Sequence, residues 1–440
     1  MASMAKMTSV APSAPAGRVF PLSVHSSGRY LKSANGNPFF IHGDTPWSIA
    51  GQLTNAQIDT YLNDRQSKGF NTILFNAPEK YFSSQSPSYN NVDGVAPFTT
   101  TSHTAASFQS MVDAYWQRVD YIVQQAKNRD ILCMINPAYL GFGGGSGTSG
   151  DQGWDYQVNA ATAGNLQTYG ANLQTRYGGY GNVIWCLGGD YVPADVTKQW
   201  NIATGIRSVS TDVIITAHGS RAVSAYASWN GQTGFNLNNI YSDTEEYALA
   251  ATEYSRSGPM PFFLIEAQYD GGPATPADCR RQAYTSVLSG SCGHLFGNYP
   301  IWGFGEPNAN GGLGPADALT NGLTTTATTQ MGYVKSLFSL YRWELLQPKT
   351  DTSLVSSSLG SAGTRVCPAR ASDGSFAMIW VPTSQTVTVV MSAITSSSVR
   401  ARLYNTTDGS YSTVSGSPFT NTGTQNIASG GERVLVLDAA

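Results

Sequence analysis

The sequence predicts a (β/α)8 barrel followed by a small antiparallel β-sandwich, and three observations carry that prediction. Eight short apolar runs recur between residues 39 and 304, stretches of helical period separate them, and helical signal stops after Pro348 while β-rich runs continue. The apolar runs are "FFIHGDT" (39–45), "NTILFNAP" (71–78), "ILCMINPA" (131–138), "VIWCLGGD" (183–190), "VIITAHG" (213–219), "NIYSDTEE" (239–246), "FFLIEAQY" (262–269) and "HLFGNYPIWGF" (294–304). Their hydrophobicity does not alternate, which is the pattern of parallel strands covered on both faces. A doubly wound open sheet would show the same runs, because strand count does not by itself require closure.

Between the runs, Thr54 and Gln57 form a capping box ahead of "IDTYLNDRQSKG", and Gly69 marks its stop. From Phe108 to Ala126, apolar residues fall at three- and four-residue steps. Pro276 stands near the first position of a helix over "TPADCRRQAYTSVL", where its missing N–H costs nothing. A last helix is expected over 330–346. Beyond it, "FAMIWVP", "TVTVVMSA", "VRARLYN" and "RVLVLDA" are separated by Ser, Thr and Gly turns, as in a sandwich. Residues 19–38 read as a hairpin turning at Asn35-Gly36, covering the barrel base or joining the sandwich. The expected organisation is a disordered leader at 1–18, a catalytic barrel with its N-terminal hairpin at 19–348, and an accessory sandwich at 349–440.

The chain of 440 residues carries a net charge of -3 and only 12% charged residues, without basic runs, which argues against nucleic acid or anionic membrane as a partner. Its polarity comes mostly from hydroxyls and amides, suited to a neutral polar partner such as a poly- or oligosaccharide. No apolar stretch approaches the roughly 18 to 20 residues of a membrane span. The opening "MASMAKMTSVAPSAPAG" has no long apolar segment and is not an intact signal peptide, so the expectation is a secreted protein, extracellular or periplasmic, whose signal is absent from this chain. Five cysteines show no C-x-x-C spacing; Cys133 and Cys186 lie in core runs, and Cys279 and Cys292 are near enough in sequence to pair. "NTT" at 405–407 is an N-glycosylation acceptor pattern.

In a barrel of this kind the chemistry gathers at the C-terminal ends of the strands. Those ends carry His42 and Asp44, then Asn76, Asn136, Asp190, His218, then Tyr241, Asp243, Glu245 and Glu246, then Glu266 and Gln268, and last Trp302. Hydrogen-bonding groups and aromatics with few cations suit a polyhydroxylated ligand, with Trp47 and Trp302 as candidate platforms. Asp190 and Glu266 each close a run that reads as a buried strand, and glycosidic cleavage needs two such carboxyls, one as acid and one as nucleophile or base. The acid must keep its proton near neutrality, so Asp190 needs burial or a neighbouring negative charge, with Trp185 and the ionised partner as the candidate causes. Each residue also has a structural reading: Asp190 as a cap, Glu266 as an ion-pair member, Asp44 as a turn cap, His42 and His218 as hydrogen-bonded fillers, and one of Glu245 and Glu246 as a solvated side chain.

Other motifs are mostly empty. There is no G-x-S-x-G, and Gly145, Gly147 and Gly150 satisfy G-x-G-x-x-G inside a loop with no helix directly after it. Five histidines and H-x-D on the first strand give little for a metal centre, so neither metal nor cofactor is expected.

"GRYLKSANGNPFFIHGDTPWSI", "YLNDRQSKGFNTILFN", "NVIWCLGGDY" and "PFFLIEAQYDG" resemble the barrel of glycoside hydrolase family 140, the apiosidases, and the tail from about 350 resembles the small β-domain that follows it, carried under a collagen-binding label. The resemblance implies that the aspartate closing "LGGD", Asp190, is the acid/base and the glutamate of "LIEAQY", Glu266, the nucleophile. It implies cleavage of apiose-terminated glycosides, notably from pectic rhamnogalacturonan side chains. The long Gly/Ser/Thr-rich loops match no family pattern, and substrate identity lives in loops. An arabinofuranosidase or an endo-acting glycanase of the same fold therefore stays open. So do a carbohydrate-binding barrel without turnover and a metal-dependent hydrolase.

Overall fold

The computed structural model describes residues 19–102, 105–142, 152–305 and 314–440. The leader and the glycines at 145, 147 and 150 lie outside the described residues. Eight strands form one sheet: β1 (Ile41–Asp44), β2 (Thr72–Asn76), β3 (Leu132–Asn136), β4 (Val183–Gly188), β5 (Ile215–His218), β6 (Asn238–Tyr241), β7 (Phe262–Glu266) and β8 (Gly293–Phe296). Their order is β5-β4-β3-β2-β1-β8-β7-β6, and the neighbours pair in parallel.

The two ends of that order meet across β5 and β6. The amides of Asn236 and Leu237 donate to the Ile215 carbonyl at 3.1 and 3.3 Å. Beyond this bridge the Asn239 side chain takes over, donating to Thr216 Oγ1 at 2.9 Å and to the Ala217 carbonyl at 2.7 Å. A side-chain amide thus satisfies backbone where the ladder stops, and the barrel is nearly closed.

All but one residue of these strands is buried, so their hydrophobicity is continuous. Alternation reappears in what each residue packs against. Ile41, Leu74, Leu132, Met134, Ile184 and Cys186 fill the interior, while Ile73, Phe75, Cys133, Ile135, Trp185 and Leu187 meet the outer helices. The capping box at Thr54 and Gln57 starts a helix at Asn55–Ser67, and Pro276 opens the helix Pro276–Leu288. Residues 19–39 form three short strands rather than one hairpin, and Phe20, Leu22, Leu31 and Phe39 join the interior cluster at the barrel base.

The C-terminal unit packs a large antiparallel sheet on a two-stranded one. Its strand Phe376–Val381 is buried on both faces: Phe376, Met378 and Trp380 turn to the barrel helices, and Ala377, Ile379 and Val381 to the small sheet.

Four further expectations need correction, the first being the helix expected over 330–346, which spans Thr326–Ser339 and gives way to a strand at Leu346–Pro348. The last barrel run splits, with β8 ending at Phe296 and a short helix at Tyr299–Gly303 carrying Trp302, because Asn298 caps a turn that Pro300 favours. The run 239–246 likewise ends as a strand at Tyr241, and Glu246 opens a helix. All five cysteines are buried free thiols, so Cys279 and Cys292 do not pair.

Candidate active site

The stretch "VIWCLGGDYV" ends a strand where three segments crowd together. Gly188 holds φ +90°, and a Cβ there would stand 2.2 Å from the His218 carbonyl; at Gly189 it would stand 2.7 Å from the Gly141 carbonyl. Only glycine lets β4 run this close to β5 and to the loop after β3. The Asp190 amide then donates to Gly141 at 3.1 Å, and its side chain turns into a cavity of about 450 Å3 at the C-terminal mouth.

Glu266, at the end of β7, faces the same cavity. His218 at the end of β5 stands between the two: Nε2 lies 2.8 Å from Glu266 Oε2, and Nδ1 lies 3.2 Å from the Gly189 carbonyl and 3.7 Å from Asp190 Oδ1. One oxygen of each carboxylate and one nitrogen of the ring all lie within 4.8 Å of one another. Both ring nitrogens face acceptors, so both carry protons and the ring is an imidazolium. Burial alone would lower the His218 pKa, but the two carboxylates hold it up at about 9. A divalent cation on these three residues would have to displace a proton from His218, so the hydrogen bonding fits a proton-bearing site better than a metal centre.

Asp190 is pushed up to about 7 by burial first and by the Glu266 charge second, against the pull of His218 and of the Tyr139 hydroxyl, which donates to Asp190 Oδ1 at 3.0 Å. Trp185 is not a cause. Its ring faces outward and its Nε1 donates to Gln174 Oε1 at 2.9 Å.

The other expected site residues divide by strand face. Asn76, Tyr241, Gln268, Trp47 and Trp302 line the cavity with the two carboxylates. Asn76 Oδ1 is buried without a partner, and Trp47 Nε1 donates to the Tyr269 hydroxyl at 3.0 Å. His42 and Asp44 point the other way, since Ile41 and Gly43 take the inner face of β1. His42 is fully buried, stacks on Phe70 at 4.6 Å and lies 3.0 Å from His294, and burial keeps both rings neutral. Asp44 accepts from Arg65 Nε at 2.5 Å and from the Tyr61 hydroxyl at 3.0 Å, in a buried ion pair behind the sheet. Asn136 is fully buried and ties β3 to β4 by donating to the Gly188 carbonyl at 3.3 Å. Glu245 is solvated, while Glu246 is buried against Arg281 at 2.7 Å; neither reaches the cavity.

Sequence reasoning missed several wall residues. Tyr139 and Tyr269 each lie three positions past a strand end, beyond a search confined to the termini. Phe82 and Phe142 form an aromatic wall with Trp302, at ring separations of 6.0 and 5.0 Å from Phe82. Arg221 lies opposite, bonded to the Tyr241 hydroxyl at 2.7 Å and paired with Asp243 at 3.1 Å. Spacing gave no signal for these, because loop conformation brings them in.

A family model described as "Apiosidase-like, catalytic domain" matches residues 25–344, and one described as "Putative collagen-binding domain of a collagenase" matches residues 350–438. A solved glycoside hydrolase is 23% identical over 96% of this chain and 99% of its own, with a TM-score of 0.81. A family 5 glycoside hydrolase from Bacteroides vulgatus is 22% identical over 95% and 93%, at 0.80. A β-L-arabinopyranosidase from Geobacillus stearothermophilus is 10% identical over 90% and 96%, at 0.51. At these identities the likeness is one of fold. No curated protein matches the chain.

Proposed function

Since this chain belongs to the apiosidase-like family of catalytic domains and is a glycoside hydrolase, we propose that it cleaves a furanose-containing or side-chain glycosidic bond of a plant or microbial polysaccharide, with retention of configuration, through Asp190 and Glu266. The proposal includes placement in glycoside hydrolase family 140, an apiosidase or arabinofuranosidase-like specificity, and action outside the cell. One observation carries it: carboxylate oxygens from the ends of β4 and β7 approach within 4.8 Å across a cavity of sugar size. That approach favours the shorter carboxyl separation of retaining enzymes, roughly 5 to 5.5 Å, over the about 6.5 to 9.5 Å of inverting ones.

In the first step protonated Asp190 gives its proton to the leaving oxygen. Glu266 attacks the anomeric carbon as the glycosidic C–O bond breaks. In the second step the Asp190 carboxylate takes a proton from water, whose oxygen displaces Glu266 and releases the sugar. His218 donates to Glu266 throughout, offsets the negative charge between the two carboxyls and orients the nucleophile. Aromatic rings on one wall and the Arg221–Asp243 pair on the other supply stacking and hydrogen bonds for sugar hydroxyls.

The test is a screen on arabinan, pectic and mixed cell-wall polysaccharides, with the anomeric form of the first product read by NMR. Asp190→Asn and Glu266→Gln should each lower kcat by a factor on the order of 10³ while melting as folded proteins. Turnover near the wild-type rate in either variant, or an inverted first product, would overturn the assignment.

A further inference from the structure

A second cavity, of about 340 Å3, opens at the opposite end of the barrel from the catalytic mouth. Gly290 and Ser291 line it just before β8 begins, and Tyr254 lines it at the end of the helix that precedes β7, which fixes its place at the N-terminal ends of the strands. Its remaining walls come from the 25–30 loop between the first two N-terminal strands, from Val287 of the helix before β8, and from residues 342–347 and Ser372 at the C-terminal unit. Three parts of the chain therefore enclose one hollow.

The polar groups of this hollow are held but not used up. His25 Nδ1 is engaged by Ser27 Oγ at 2.9 Å, which leaves Nε2 facing outward from that pairing. The Tyr30 hydroxyl and the Gln347 amide have no hydrogen-bond partner among the described residues. Arg342 is 71% exposed and spends only its Nε, at 3.1 Å, on Glu344, so both terminal nitrogens are open. Arg29 is fixed over the Tyr254 ring at 4.0 Å and donates to that residue's carbonyl at 2.7 Å. The Tyr30 ring is locked between His25, stacked at 4.3 Å, and Trp343, edge-on at 6.0 Å.

Such walls are pre-ordered and mixed in sign. Two guanidinium groups face one carboxylate inside the cavity, and Asp373 acts on Arg342 from close by, so no strong net charge selects an anion. Donors and acceptors on an aromatic floor, in a volume at the small end of ligand sites, fit about one or two sugar rings. We propose that this cavity is a second saccharide-binding site, which takes a neutral stretch of polysaccharide while the catalytic mouth acts elsewhere on the same or a neighbouring chain. The proposal rests on the glycan substrate argued above. It gives the junction of N-terminal sheet, barrel and C-terminal unit a role in holding the enzyme on its polymer.

Native gels cast with soluble arabinan, galactan or xylan, and with polygalacturonate as the anionic arm, test it on the full chain. At least one neutral polymer should retard the wild type, and His25→Ala/Arg342→Gln should weaken that binding about ten-fold through lost hydrogen bonds while melting as the wild type does. Its kcat/KM on a small soluble glycoside should stay at the wild-type value. Retardation that survives in the double variant, retardation by polygalacturonate alone, or no retardation by any neutral polymer would each overturn the site. Absence of polysaccharide hydrolysis by the wild type, with retardation that the double variant loses, would sink the substrate proposed for the catalytic mouth and leave this site standing.

Discussion

Asp190 binds its proton more tightly in the folded chain than in the unfolded one, because burial and Glu266 disfavour its charge. Its pKa rises from 3.8 to about 7, so folding stability falls as pH climbs through that window. His218 is raised from 6.5 to about 9, so its contribution is complete below 6.5 and is lost toward pH 9. The melting temperature of wild type should therefore decline from pH 5 to pH 9, and that of Asp190→Asn should stay flatter between pH 4 and 7; parallel curves from calorimetry would contradict the assignment. Catalysis by the proposed mechanism has the same sign: its acid step needs protonated Asp190, so kcat/KM should fall about ten-fold per pH unit above about 7. Asp44 gives the contrasting prediction. Asp44→Asn removes the fully buried partner of Arg65 and leaves that guanidinium only the part-buried Asp64 at 2.9 Å, so denaturant unfolding should show a loss of about 3 kcal/mol with KM unchanged in the folded enzyme. A raised KM with stability intact would instead return Asp44 to the substrate. The carboxylates at 190 and 266 were legible in the sequence, because a bare acid after a buried run is unusual; the roles of His42 and Asp44 were not.

At the scale of elements, the reason is that both faces of every barrel strand are buried. A strand with one wet face shows by its alternation which residues point inward, whereas a continuous apolar run conceals it. His42, Asp44 and Trp185 therefore read as equal candidates beside Asn76 and Tyr241, and only packing separates them. Glycines mark the close approaches that set these elements. The helices Ala163–Tyr177 and Val196–Val209 touch through Gly170 and Gly205, where a Cβ would stand 2.0 Å from the Ile202 carbonyl and 1.9 Å from the Gln167 carbonyl. Backbone cannot yield as a flexible side chain would. Gly205→Ala should cost about 1 to 3 kcal/mol in chemical denaturation by forcing the helices apart, and a neutral result would show that they can slide.

Across the whole molecule, the barrel and the C-terminal unit share one apolar cluster. Tyr284 of a barrel helix stacks on Trp380 at 5.3 Å and 13°, and Arg280 pairs with Glu432 at 2.7 Å. Removing residues 350–440 would expose that face, so the truncated barrel is expected to aggregate and the full chain to melt in one calorimetric transition; two separated transitions would show independent units. By itself the sequence determined the eight barrel strands in their order, the passage from barrel to a β-rich C-terminal unit, and the two acids at strand ends, because periodicity, caps and turn residues are local properties. Tertiary structure alone decided which face each strand residue shows, that β5 and β6 close through Asn239, and that Tyr139, Arg221 and Tyr269 join the mouth. Those outcomes depend on contacts between segments far apart in the chain, and no local pattern encodes them.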